Sequence, residues 1–191
     1  MNLTKILTVL FFVIAIGVGY LLYDGINSTI QEEKEIERVE NRVKAKLEKI
    51  RAAQEAHLAT YGDYADTWEK LISYVDTGKI YIIQRTEKIT MLDYGAEKSE
   101  FFYDTVGEVS VKDSLFNPNY DPRQLPRLPH APDKFFSLYA KDSVRNGVSV
   151  DYIEVVDTYP FDKTRSDDAD IEQRRPLRFG SRTDITTAGN W

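Results

Sequence analysis

The sequence contains no cysteine. It therefore cannot form a disulfide, a thiolate metal site, a cysteine nucleophile or a lipidated cysteine. It also lacks a glycine-rich phosphate loop and a nucleophile elbow. The two histidines, His57 and His130, have no ligand pattern beside them, and a zinc site needs three or four donors. We therefore predict no catalytic residue, no metal site and no cofactor.

An excess of basic residues is also missing. The formal net charge is −6, and residues 62–191 carry 17 Lys and Arg against 23 Asp and Glu. Such an acidic chain does not favour binding to nucleic acid, whose phosphates attract basic surfaces. No nucleic-acid partner is expected.

Residues 6–23 form a run of 18 residues in which Thr8 is the only clearly polar side chain. As a helix this run would extend about 27 Å, close to the roughly 30 Å of a bilayer core. It predicts a single-pass membrane anchor within domain 1–25. A cleaved signal peptide is the main alternative, but its apolar region is usually shorter. A buried core helix is a weaker one, because no face of the run is polar.

The charges beside this run suggest an orientation. Lys5 precedes it and Asp24 follows it, which favours a cytoplasmic N-terminus and an extracytoplasmic C-terminal domain. In a bacterium this means the inner membrane, with the head in the periplasm. The bilayer is the predicted partner of residues 6–23.

Residues 26–61 are predicted to form a long amphipathic helix. Apolar or small residues recur every three or four positions along one stripe: Ile36, Val39, Val43, Leu47, Ile50, Gln54, His57 or Leu58, and Tyr61. Ser28 and Gln31 fit a capping box at the start, and Gly62 fits a C-cap. The stripe either pairs with a second copy in a coiled coil or packs on the head. We favour a solvated stalk over 31–41 and a packed helix over 44–61, so 26–61 is a predicted surface for protein partners or self-association.

Residues 62–191 are predicted to form an α+β head. A short helix is expected after Asp66 as N-cap, ending before Gly78. Predicted strands follow at 79–85, 101–105, 108–112, 134–140 and 149–156, with hairpin connections at 106–107 and 143–147. The predicted strand 79–85 should be buried on much of both of its faces. The aromatic side chains of these segments are expected in the core: Tyr81, Phe101, Phe102, Tyr103, Phe135, Phe136 and Tyr139.

Two segments of the head look irregular. Residues 117–132 hold five prolines and predict an extended surface loop. Residues 162–175 are dense in charge, including an acidic patch at Asp167, Asp168, Asp170 and Glu172, and are expected to be a mobile, solvated tail.

The order of these parts resembles the type IV pilins and pseudopilins. The resemblance covers about residues 6–85: an apolar helix runs into an amphipathic one that reads RAAQEAHL at 51–58, followed by YGDY at 61–64 and a short helix. The whole chain also resembles a group of uncharacterised bacterial single-pass proteins, through DSLF at 113–116 and AGNW at 188–191. The pilin resemblance implies a helix packed on a small antiparallel sheet and a structural or assembly role, not an enzyme.

The chain also departs from the pilins. No glycine precedes the apolar run, and no carboxylate lies between Lys5 and Asp24. We therefore expect a permanently anchored, pilin-shaped accessory subunit of a cell-envelope complex. The alternative hypothesis is a membrane-tethered binding domain that uses the proline-rich loop 117–132.

Overall fold

A computed structural model describes residues 3–91, 97–145 and 147–191. It divides into two compact units, Met1–Arg42 and Val43–Trp191. The described residues combine helices with two small antiparallel sheets, which confirms the mixed α and β class. The second unit takes in the distal part of the predicted stalk 26–61.

Helix α1 spans Leu3–Tyr61 without a break. Its N-terminal part is long and apolar enough to cross a membrane, with a mean hydropathy of 1.7 over the most apolar window and none of that window buried. The predicted helix start at Ser28 is wrong, since α1 passes through it. The Ser28 hydroxyl instead donates to the carbonyl of Gly25, one turn earlier (2.9 Å).

The C-terminal part of α1 carries the predicted buried stripe. Its buried residues in the second unit are Val43, Leu47, Ile50, Ala53, Gln54 and His57. α1 ends where predicted, because Gly62 adopts a positive φ of 86° and its N–H donates to the carbonyl of Leu58 (2.8 Å). Glycine is favoured there because a Cβ destabilises this conformation.

Helix α2 spans Trp68–Thr77, and its N-cap is Thr67 rather than Asp66. The Thr67 hydroxyl accepts from the Lys70 N–H, while the Asp66 carboxylate pairs with the Lys70 ammonium (2.8 Å). The helix buries one side into the head through Leu71, Tyr74 and Val75.

Strands β1 (Lys79–Met91) and β2 (Glu97–Ser110) pair with each other, and with no other strand among the described residues, to form a two-stranded antiparallel ribbon. The predicted hairpin at 106–107 is wrong. Val106 is instead an extra residue in β2, because Ile82 pairs with Gly107 and Ile83 pairs with Thr105. A bulge of this kind keeps one long strand where the sequence suggested two.

After helix α3 (Val111–Leu115), which replaces the end of predicted strand 108–112, the chain forms a second sheet. Strands β3 (Ser137–Arg145), β4 (Val148–Val156) and β5 (Arg178–Ser181) lie in that order, all antiparallel. The predicted hairpin at 143–147 is confirmed, since Arg145 pairs with Val148. The sequence at 146–147 is Asn-Gly, which is a favoured pair for a two-residue hairpin loop. Asn146 lies outside the described residues.

The loop 117–132 does not stand free of the head. It contains a 3₁₀ turn at Pro122–Gln124 and buries Pro122, Leu125, Pro126 and Leu128. The N–H of Phe136 donates to the carbonyl of Pro126 (2.8 Å). The prediction of an extended surface loop is therefore wrong, since its apolar side chains complete the core.

The charged segment 162–175 is also folded. The Arg165 guanidinium donates to the carbonyls of Gln173 and Arg175, at 2.7 Å each, and the Ser166 N–H donates to the Arg174 carbonyl (3.0 Å). The expectation of a mobile tail is wrong because arginines of the segment satisfy its own carbonyl groups. Charge density alone did not reveal these bonds.

Candidate functional site

The most unusual surface of the head lies on the β1–β2 ribbon. Side chains alternate between the two faces of a strand, and the pairing places six large apolar residues on one face. We define this apolar ribbon face by Tyr81, Ile83, Ile89, Met91, Phe101 and Tyr103. Their exposed fractions run from 43% for Phe101 to 73% for Met91.

These exposures overturn the predicted role of the ribbon aromatics. Tyr81, Phe101, Phe102 and Tyr103 were expected in the core and are all exposed, and so is Phe135 outside the ribbon. Strand 79–85, expected to be buried on both faces, is largely exposed. Among the described residues no third strand extends the ribbon, and the exposed fractions show that its apolar face is open to solvent.

Charged groups are placed within the apolar ribbon face and beside it. The Arg85 guanidinium lies over the Phe101 ring, 3.8 Å from its centre, a favourable cation–π contact. Glu87 follows Arg85 on the same face, and Glu108 at the ribbon base pairs with Lys79. The opposite face is polar in its distal half, where the Lys98 ammonium pairs with Glu100 (2.8 Å).

Beside the loop 117–132 lies a cavity of about 360 Å³. Helix α2 contributes Asp76 to it, α3 contributes Lys112, and the loop contributes Asn119, Tyr120 and Arg123. Burial, and to a lesser extent Asp121, raises the pKa of Tyr120 to about 12. Tyr120 is therefore a neutral hydroxyl in this cavity at ordinary pH.

A cavity of about 490 Å³ lies beside β5. Its buried carboxylate, Glu154, accepts from Arg182 (2.6 Å) and lies 3.8 Å from Arg178. Arg178 also pairs with Glu172. Because Arg178 and Arg182 are both paired with carboxylates, this network ties β4 to β5 and to segment 162–175.

Carboxylates also line a cavity of about 350 Å³ between the end of α1 and the β3–β4 hairpin: Asp63, Asp66, Asp142 and Asp151. Burial, then Asp142 and Asp63, raise the pKa of Asp151. In the part of the chain that the structure describes, no group of three or more His, Cys, Asp or Glu could hold a metal ion.

Both histidines hydrogen-bond main-chain carbonyl groups. The His57 ring hydrogen-bonds the carbonyl of Asp63 through Nδ1 (2.8 Å) and lies against Tyr61 and Tyr74. The His130 Nε2–H donates to the carbonyl of Tyr159 (2.7 Å). Both rings tie loops to neighbouring elements.

Comparison of the chain with protein-family models, with curated proteins and with solved structures gave no match. The residues and geometry of this chain are therefore the basis for proposing a function. Two signals stand out: the apolar N-terminal part of α1 and the apolar ribbon face. The sequence predicted the apolar part of α1 but not the exposed ribbon face. Apolar residues in a strand are also expected when a neighbouring layer buries that strand, so their pattern does not show that they are exposed.

Proposed function

We propose that the protein is a membrane-anchored, pilin-like structural or assembly subunit of a bacterial cell-envelope complex, and that it acts through protein contacts rather than catalysis. The observation that carries this proposal is the continuity of α1. One helix holds an exposed apolar segment long enough to cross a bilayer and, further along, the buried residues of the head.

The distal part of α1 supports an assembly role because the head is built around it. Its Lys46 ammonium donates to the carbonyl of Gln124 (2.6 Å), and its Arg51 donates to the carbonyl of Thr187 (3.4 Å). The C-terminal part of α1 is therefore an integral part of the head, as the pilin-like proposal requires.

Extraction of membranes tests the anchor. We expect the full chain to stay in the membrane pellet after alkaline carbonate treatment and to be released by detergent. The mature chain should retain residues 6–23 when its intact mass is measured. Release by carbonate, or a mass that lacks this segment, would contradict the proposal.

Cysteine labelling tests the orientation of the chain in the membrane, because the sequence has no cysteine of its own and an introduced thiol is therefore the only one. Asp133 is exposed in the head, and we expect an Asp133→Cys variant to react with an impermeant maleimide in intact spheroplasts. A Lys5→Cys variant should react only after lysis. The reverse pattern would overturn the cytoplasmic placement of the N-terminus.

A second candidate function is a membrane-tethered binding domain, favoured by the cavity beside loop 117–132. Replacing the whole loop does not test it, since Leu125 and Leu128 are core residues. The test is a pair of substitutions at exposed positions, Asn119→Ala and Arg123→Ala, which should preserve the melting temperature. Wild-type and variant chains would be compared by pull-down from detergent-solubilised membranes. Loss of a bound partner from the variants alone would support the binding role, and an unchanged set of partners would count against it.

A further inference from the structure

The apolar ribbon face is too large to be an ordinary exposed patch. Six side chains of about 200 Å² each, at the exposed fractions given above, expose together roughly 700 Å². The largest patch on a typical monomer is about 300–600 Å². A two-stranded ribbon is also only marginally stable by itself in water, so a covering partner would stabilise it.

We propose that this face is covered by the same face of a second copy of the chain. The area fits, because a standard interface buries about 800 Å² on each partner. The proposal deepens the assembly role proposed above by naming a self-contact within it, and it places that contact on residues 79–110 rather than on the helix 26–61.

The distribution of residues along the face favours an antiparallel arrangement. Consider a two-fold axis that lies parallel to the face and perpendicular to the strands, between the Arg85–Tyr103 and Glu87–Phe101 pairs. It would lay β1 of one copy over β1 of the other, and the two β1 strands would run in opposite directions. Arg85 of each copy would then face Glu87 of the other. This is charge complementarity of a surface with itself, as an isologous interface requires.

The apolar residues match under the same operation. Ile83 would face Ile89 of the other copy, and Tyr81 would face Met91. Tyr103 would face Phe101, an aromatic pair. The single like-charged approach, Glu108 over Glu97, is offset because Glu108 already pairs with Lys79 within its own ribbon.

A parallel arrangement of the two ribbons fits less well. An axis along the strands would lay β1 of one copy over β2 of the other. Each residue would then face its own cross-strand partner's position, which sets the apolar Ile83, Ile89 and Met91 over the polar Thr105, Ser99 and Glu97. The order of apolar and polar residues along the two strands therefore favours the antiparallel register.

Cysteine cross-linking of the full chain tests the register. We would co-express differently tagged Ile83→Cys and Ile89→Cys chains, purify them in mild detergent and treat them with a short bis-maleimide. The antiparallel register brings these positions together, whereas two Ile83 positions would lie about 20 Å apart. We expect the mixed pair to cross-link at least about tenfold more than either variant alone. Cross-linking of Ile83→Cys with itself, or of neither combination, would overturn the register.

Sedimentation equilibrium in density-matched detergent tests the interface itself. The double variant Ile83→Thr/Ile89→Thr keeps β-branched side chains in the strand but removes apolar area, at four positions in each dimer. We expect the dissociation constant of the dimer to rise about 100-fold. The matched control is Ile82→Thr, the same change on the opposite face of the same strand, which should leave it unchanged.

A chain that is monomeric at every concentration, or a dimer that the double variant does not weaken, overturns the inference. In the second case the contact would lie elsewhere, for example on residues 26–61. Neither outcome affects the membrane anchor, which carbonate extraction tests separately. The proposed anchored function can thus fail while the ribbon contact holds, and the reverse is also true.

Discussion

Gln54 provides the sharpest test of how α1 is joined to the head. Its side chain is fully buried and forms two hydrogen bonds with one residue. The Gln54 Nε2 donates to the carbonyl of Ala65 (3.0 Å), and its Oε1 accepts from the Ala65 N–H (2.9 Å). Ala65 is fully buried too, so both of its main-chain groups depend on this one amide within the head.

The cost of losing this pair follows from ordinary hydrogen-bond energetics. Gln54→Ala would leave a buried N–H and a buried carbonyl without partners, each costing about 1–3 kcal/mol. The lost packing adds to this cost. We expect the free energy of unfolding to fall by about 3–5 kcal/mol, a large share of the stability of a small domain.

Gln54→Glu adds a dependence on pH. Its carboxylate would face the carbonyl oxygen of Ala65, whereas the protonated acid could donate to it, so folding would raise the pKa of the new carboxyl group. The folded state then binds the proton more tightly than the unfolded state. The variant should therefore lose stability relative to the parent as pH rises above about 4.3, by up to about 1.4 kcal/mol per pH unit, until the pH passes the raised pKa.

The measurement is urea unfolding of the full chain in mild detergent, followed by fluorescence of Trp68, whose indole N–H donates to the carbonyl of Phe136 (3.3 Å). Gln31→Ala, at an exposed glutamine of the same helix, is the control and should change stability by less than about 0.5 kcal/mol. A Gln54→Ala variant within about 1 kcal/mol of the parent would refute the reasoning. So would a Gln54→Glu variant with the same pH dependence as the parent.

Three further predictions concern the same head. Gly180→Ala should lower the free energy of unfolding by several kcal/mol or prevent folding, since a Cβ there would lie 2.0 Å from the carbonyl oxygen of Ile153. Gly62 also has a positive φ but stands in open space, so Gly62→Ala should lower the free energy of unfolding by only about 1–2 kcal/mol in the same assay. Asn190→Ala should cost about 1–3 kcal/mol, because its side chain bonds three main-chain groups, and thermal unfolding that matches the parent would contradict this. Burial, together with nearby cations, lowers the pKa of Lys46 to about 8. Above that pH the unfolded state binds more protons than the folded state, so the free energy of unfolding should rise between about pH 8 and 9.5. After discounting for solvent screening the rise is about 1 kcal/mol, and it should vanish in Lys46→Met.

Local patterns predicted the helices well. The three- and four-residue spacing of Val43, Leu47 and Ile50 defines one side of a helix wherever that helix packs, and all three are buried. Glycine at 62 ended α1 as expected, since few other residues accept its φ. The start of the short helix was missed by one residue, because Asp66 and Thr67 are both good N-caps and the choice depends on where the loop approaches.

Strand patterns were less informative about burial. Alternating apolar residues show that a segment suits a sheet, but they do not show whether another layer covers it. Tyr103 and Phe136 look alike in the sequence, yet one is 68% exposed and the other 2%. The difference arises because β2 belongs to an isolated ribbon, whereas Phe136 lies next to the three-stranded sheet.

The irregular segments show the same limit. Proline content predicted that 117–132 would avoid regular structure, and it contains a 3₁₀ turn and one isolated β-bridge, from Arg127 to Phe135. It could not show that Leu125 and Leu128 would be buried, since burial depends on the helices and strands that surround the loop. Similarly, Arg165 and Arg175 order their segment through carbonyl groups that only the folded chain brings near.

The sequence by itself determined the helical stripe along α1, the apolar stretch that can cross a membrane and the sites where the helices end. These follow from short-range spacing and from the conformational preferences of single residues. Only the tertiary structure decided which strands pair, that Val106 is a bulge rather than a turn, and that the ribbon aromatics face outward. Those outcomes depend on contacts between residues far apart in the chain, and the proposed self-contact of the ribbon depends on them in turn.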